Sequence, residues 1–434
     1  MKRRLILASG AAAILVAAAL LGGALVGEPG AQQVPPPRPD GAGTPLLEGF
    51  SPGDTEAYVD QLEARVAQSP ADGRGLALLG LAYQQRARES GDPAFYPRAE
   101  AALRGALAAE GDKLLVYTGL ASLAASRHRF DEAEALARRA IRENPHSAAA
   151  YGLLGDALVE TGRYREAFAA FERMVSVRPS AAAYARISYA RELLGRTRAA
   201  IAAMRLAVRA AGPAPEPAAW ALTNLGNLQR ESGDLAAAQR SYDEALHRLP
   251  GYAPALEALG TVRRWQGRMR VAVRLRRAAL AAQPLPEYAV GLGDTLAQMD
   301  REANAEAAYA RAEELEERFA ANGGRNTLET SLFDLDHDRN LEDALARARE
   351  GQRLRPSVEG EHVLAWALFK NGRCREARAH SNRALRLGTK DWGAMIHRSL
   401  IESCLGNEAA ADAWRERALA ANPYALVAFG PLPG

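Results

Sequence analysis

A small residue stands at Ala121, Gly155, Ser188, Gly226, Gly260, Gly293, Ala365 and Ser399, and an alanine follows twelve positions after each one. Those alanines (Ala133, Ala167, Ala200, Ala238, Ala272, Ala305, Ala377 and Ala411) are spaced 34, 33, 38, 34, 33, 72 and 34 residues apart. Seven positions further comes a second alanine, at Ala140, Ala207, Ala245, Ala279, Ala312, Ala384 and Ala418, with Met174 as the exception. Glycine separates the two halves of most units, at Gly162, Gly195, Gly233, Gly267, Gly372 and Gly406. Proline closes them at Pro145, Pro179, Pro250, Pro284, Pro356 and Pro423. A period of this length defines a repeat array. No single unit buries its own apolar face, so neighbours must stack.

Each unit reads as two helices of about a dozen residues, a length that is marginal in isolation and needs tertiary packing. Composition agrees: aromatics are only 6%, and the abundant alanine and leucine lose little side-chain entropy in a helix. The glycine lets the chain turn, and the proline cannot continue the second helix. The doubled spacing hides one weak unit around Leu332, Ala344 and Pro356, which lacks the turn glycine. An early unit around Leu79, Gly80, Ala99 and Ala106 carries the insertion ESGDPAFY. About ten units result.

These columns resemble the tetratricopeptide repeat family. The segment from Tyr151 to Pro179, YGLLGDALVETGRYREAFAAFERMVSVRP, matches best, and Trp220 to Pro250 is nearly as good. The resemblance spans Gly80 to Pro423. It implies an all-α, right-handed superhelical solenoid. It also implies an inner groove, lined by the first helix of each pair, that holds peptides or partner proteins. Arg276 departs from the pattern, standing where the family buries an aromatic or aliphatic side chain.

The N-terminus is organised differently. Met1 to Arg4 is basic, and Leu5 to Val26 runs 22 residues without a charge, enough to cross a bilayer as a helix. The basic flank places the chain beyond Val26 on the outer side. Residues 1–27 therefore read as a membrane anchor or a signal peptide, and either puts the repeats outside the cytoplasm. Residues 28–54 form a Pro/Gly-rich linker, able to reach roughly 80 Å at about 3.1 Å per residue if fully extended. The repeats occupy residues 55–423, and a tail covers 424–434.

Side chains three and four apart share a helix face. Counted from the small-residue column, the family's groove face carries Asp156, Tyr189, Asp294 and Trp366. It also carries the stripe Trp220, Thr223, Asn227 and Arg230 with Glu231 beside it, and the stripe Glu257, Arg264 and Trp265. Exposed Trp and Arg are frequent binding hot spots; the alternative is that these tryptophans pack between helices. The lysines of a carboxylate clamp are missing, so that ligand is not expected.

Other chemistry finds little footing. Seven arginines fall between Arg263 and Arg277, but they spread around two helices and read as a solvated face, not a nucleic-acid surface. Asp334, Asp336 and Asp338 lack the glycine and terminal glutamate of a calcium loop, and read as a turn with Asp338 or Asn340 capping the next helix. The seven histidines show no metal-ligand spacing, and no catalytic motif is present. No cofactor is expected. Cys374 and Cys404, the only two cysteines, fall at the same end of stacked hairpins. Outside the cytoplasm they form either a disulfide or two buried thiols. The sequence thus describes a non-enzymatic scaffold for protein or peptide partners, in envelope assembly, secretion or polysaccharide export. The alternative is an extracytoplasmic accessory protein that handles a small ligand or metal.

Overall fold

The computed structural model describes residues 54–429. The anchor or signal segment, the linker up to residue 53 and the last five residues lie outside the described residues. No described helix is long and apolar enough to cross a membrane. The described chain is all helix and turn, with α1 (Asp54–Gln68) preceding ten hairpins and α22 (Ala425–Phe429) following them. The first five hairpins pair α2 (Gly73–Ser90) with α3 (Phe95–Ala108), α4 (Lys113–Ser126) with α5 (Phe130–Glu143), α6 (Ala148–Glu160) with α7 (Tyr164–Val177), α8 (Ala181–Leu193) with α9 (Thr197–Ala211), and α10 (Pro215–Glu231) with α11 (Leu235–Arg248). The second five pair α12 (Ala253–Trp265) with α13 (Met269–Ala282), α14 (Pro286–Ala297) with α15 (Glu302–Ala321), α16 (Thr327–Asp336) with α17 (Leu341–Leu354), α18 (Val358–Lys370) with α19 (Cys374–Ala384), and α20 (Trp392–Cys404) with α21 (Glu408–Ala421).

The small-residue column explains the pairing within each hairpin. A Cβ placed on Gly155, Gly226 or Gly293 would sit 2.3–2.4 Å from a ring carbon of Phe171, Tyr242 or Tyr309 on the second helix. The missing side chain is therefore where the aromatic ring lies. Where the column holds serine, the hydroxyl donates across the hairpin: Ser188 Oγ to Ala200 O and Ser399 Oγ to Ala411 O, both at 2.8 Å. Short polar residues start many helices. Asp112, Ser147, Ser180, Asp234, Ser357 and Asp391 each accept from a backbone N–H three residues on, covering donors that a helix start leaves open.

The hairpins wind into two stacked layers, five hairpins to a turn. The bend within each hairpin of the first layer rests on the loop that ends a hairpin of the second layer, five units on. Gln283 Nε2 donates to Arg88 O at 2.5 Å, and Arg325 N donates to Arg127 O at 3.1 Å. Val358 N donates to the Tyr164 hydroxyl at 2.6 Å, and Asn422 Nδ2 to Arg230 O at 3.2 Å. Arg355 bridges the layers, pairing with Glu160 at 2.9 Å and with Glu329 at 2.6 Å. The turn glycines record this contact. All have positive φ, which glycine adopts without steric cost. A Cβ on Gly162 would lie 2.3 Å from Pro356 O, and one on Gly195 2.1 Å from Gly388 O. At Gly267, Gly372 and Gly406, on the uncovered rim of the second layer, a Cβ would meet nothing within 4 Å.

Several expectations change. The weak unit at 328–356 is a complete hairpin, with Asp338 and Asn340 supplying positive φ in place of glycine. Asn340 sits at the N-cap of α17, but its side chain makes no capping bond. The three aspartates of the apparent calcium loop are engaged separately: Asp334 by Arg347, Asp336 by the Trp366 indole N–H, and Asp338 by Lys370. The arginine-rich stretch is not wholly a solvated face, because Arg264 and Arg276 are buried. Arg276 fills its aromatic position by bonding: it donates to Thr261 Oγ1 at 2.8 Å, to Thr295 Oγ1 at 2.7 Å and to Gly291 O, and pairs with Glu257 at 3.0 Å. The tail from 424 is in part a helix, α22, whose Ala425, Ala428 and Phe429 are buried. It caps the apolar face of the last hairpin, as terminal elements of a solenoid must. Cys374 and Cys404 are joined by a disulfide with Cα atoms 6.2 Å apart, within the span such a bond bridges.

Candidate partner-binding face

The inner face of the superhelix is lined by the first helices of the hairpins, and its candidate residues fall into three groups. One group has its polar atoms consumed by the fold. Asp156 receives a bidentate pair from Arg186, at 2.9 and 2.7 Å, with both side chains buried. Thr223 donates back to Ala219 O at 2.8 Å, and Asp294 accepts from Tyr309 at 3.1 Å and His337 at 3.0 Å. Trp366 is 0% exposed, stacked on His397 with centroids 3.7 Å apart, and donates to Asp336 at 2.9 Å. It lies between hairpins, because the next unit offers a flat ring to cover it.

A second group lies where the two layers meet. Arg230 pairs with Glu231 at 2.8 Å, and Glu231 accepts from the Trp392 indole at 2.6 Å across the layers. Trp265 meets Trp392 edge to face at 5.9 Å and stacks on Tyr424 at 6.4 Å, while Arg230 stands 5.8 Å over its ring. Tyr189 is half-buried against a core cluster that Val358 and Leu387 of the second layer also pack on. Away from that seam, Trp220 packs on the core formed by α8, α9 and α10, and Asn227 accepts from the Tyr242 hydroxyl of its own hairpin at 2.8 Å.

The third group retains open valences. Arg264 is 6% exposed, yet its Nε and Nη1 have no hydrogen-bond partner among the described residues. Burial pulls its guanidinium down to about 10, with the like charge of Arg276 adding to the effect. The Trp265 indole N–H, one carboxylate oxygen of Glu257 and the hydroxyl of Tyr288 are likewise buried without a partner. An unpaired buried charge costs several kcal/mol, so this cluster on α12 and α14 is the part of the face left chemically unfinished.

The inner face is also more acidic than its sequence stripes implied. Glu192, Glu287 and Glu359 reach solvent, Glu287 and Glu359 as exposed side chains. Burial nonetheless pushes Glu192 up to about 8 and Glu287 up to about 7, and raises Glu359. The small-residue column could have found these residues. Glu287 and Glu359 each stand six positions before it, and Glu192 four after it. Among the described residues no group of three or more His, Cys, Asp or Glu could hold a metal ion.

The architecture defines an all-α solenoid of the tetratricopeptide type. By sequence, tetratricopeptide repeat models match residues 85–148 and 124–188, so this part of the chain carries recognisable repeats of that family. Among solved structures, a tetratricopeptide repeat protein from Parabacteroides merdae is similar at 16% identity and a TM-score of 0.44, covering 56% of this chain and 93% of that one. MamA protein is similar at 21% identity and a TM-score of 0.30, covering 39% and 91%. No curated protein matches the sequence.

Proposed function

We propose that this chain is a non-enzymatic scaffold that binds a protein or peptide partner through its inner face. Tetratricopeptide repeats are interaction modules, and the observation that carries the reading here is Arg264, a nine-tenths-buried guanidinium with two donors open. Asp294 and Glu257 offset part of its charge, but a fold that placed it only for packing would still leave two buried donors without an acceptor, which is destabilising. A partner that reaches it gains a charge-assisted hydrogen bond. The apolar segment Leu5 to Val26 supports a setting outside the cytoplasm, with the repeats tethered to a membrane or released from it. Roles in envelope assembly, secretion or polysaccharide export fit that setting. The test is affinity capture from membranes with the wild type and with Arg264→Met, which keeps the aliphatic bulk and removes the charge. Loss of one specific partner, with the helical circular dichroism unchanged, is expected. Absence of any specific partner, or capture indifferent to the substitution, overturns the reading.

A further inference from the structure

We propose that the inner wall around Glu287 receives the guanidinium or ammonium group of a basic segment in the partner. The inference rests on the inner face being the partner-binding face and adds what it selects. Glu287 is the second residue of α14, and its side chain is exposed. The charged groups around it are Glu257 on α12, Glu316 on α15 and Glu329 on α16. Arg88 and Arg127 act together with Glu287 on Tyr96, but among the described residues no cation is paired with Glu287 itself. Glu257 commits one oxygen to Arg276 at 3.0 Å, and its other oxygen has no partner. Arg230 and Arg264 also act on Glu257. Glu329 is held by Arg355 at 2.6 Å, and Glu316 accepts from Asn326 at 2.7 Å. Glu287 is the carboxylate left over.

A second observation points to a ligand. Tyr288 is 4% exposed and its hydroxyl has no partner, although it sits beside Glu257, Glu287 and Tyr252. A buried hydroxyl ordinarily finds a partner. Its oxygen can accept from a guanidinium N–H, and the faces of Tyr252 and Tyr288 attract a cation. A guanidinium carries five donors, so one that pairs with the exposed Glu287 carboxylate still has donors for the free Glu257 oxygen and the Tyr288 hydroxyl buried beside it. A ligand carboxylate would meet the unpaired Glu287 carboxylate and gain no bond from it.

The ionisation of Glu287 gives the interaction a pH signature. Burial, with Glu257 and Glu329 adding to it, lifts the carboxyl to about 7. Near neutrality it carries a proton part of the time. A bound cation favours the ionised form, so binding releases protons and strengthens as pH rises from 6 to 8.

The test uses the full chain and two probes, an alternating Arg-Ala dodecapeptide and its Glu-Ala counterpart, by titration calorimetry in buffers of different ionisation enthalpy. The Arg peptide is expected to bind with proton release and the Glu peptide not to bind. Glu287→Gln and Tyr288→Phe should each weaken the Arg peptide, Glu287→Gln by about tenfold, while Glu143→Gln on an outer helix should not. No preference for the Arg peptide, or binding unchanged in Glu287→Gln, overturns the inference. A captured partner that depends on Arg264 but binds through a segment without Lys or Arg also overturns it, and leaves the scaffold reading standing.

Discussion

Gly162 and Gly267 occupy equivalent bends and share φ +73°, yet only the first is covered by another layer. Replacing either with alanine imposes the same left-handed strain, about 1 kcal/mol relative to glycine. At Gly267 that is the whole effect, since the new Cβ meets nothing within 4 Å. At Gly162 the Cβ would stand 2.3 Å from Pro356 O. Ordinary contact needs more than 3.4 Å, so the layers must part by about 1 Å at that point. The parting strains the neighbouring Val358–Tyr164 and Arg355–Glu160 contacts, at 2.6 and 2.9 Å. Overpacking of this kind costs about 1–3 kcal/mol. Gly162→Ala should therefore lose about 2–4 kcal/mol and Gly267→Ala about 1 kcal/mol, by urea unfolding followed by far-ultraviolet circular dichroism. Small-angle scattering should show a larger radius for the first variant alone. Equal losses in the two variants, with unchanged radii, would refute the account of layered packing.

Other outcomes rest on the buried polar pairs. Arg186→Met leaves Asp156 buried and unpaired and should cost about 3–5 kcal/mol, while adding Asp156→Leu should recover most of it; denaturant titration of the three variants decides. Burial opposes the charge of His337, but its Asp294 partner outweighs this and raises the imidazole above 6.5. A raised folded value stabilises fully below the unfolded value, about 6.5, and that stability is lost as pH rises through the folded one. His337→Gln should accordingly destabilise more at about pH 6 than at about pH 9, and equal effects would count against the pairing. Unreduced, unfolded protein should show no free thiol. Reducing the Cys374–Cys404 bond, which closes a separation of 30 residues, should cost about 3–4 kcal/mol, lost first from the last two hairpins.

The hairpins were legible because their signal is local. Gly155, Gly226 and Gly293 are small for the plain reason that a ring stands sixteen positions later in each case. The layers were not legible, because the residues that join them, Gly162 to Pro356 and Gly195 to Gly388, are ones any hairpin bend or end would use. Only their surroundings tell Gly162 from Gly267. The groove stripes were half legible. Face membership followed from spacing, but not which side chains the neighbouring unit would absorb, so Trp366 vanished into a stack on His397 while Glu287 went unnoticed. Arg276 misled for a related reason: its aromatic position accepts a guanidinium only because Thr261, Thr295 and Gly291 present oxygens around it.

The five-unit stacking also restricts how such a chain can change length. In an open solenoid each hairpin touches only its neighbours, so a unit can be gained or lost without consequence elsewhere. Here excising one hairpin between Gly233 and Pro356 would slide every cross-layer partner that spans the cut. Arg355 would no longer face Glu160, nor Asn422 the carbonyl of Arg230. Duplication and deletion, the usual routes of repeat evolution, are thereby confined to the two ends, where α1 and α22 can be displaced without breaking the gearing in between.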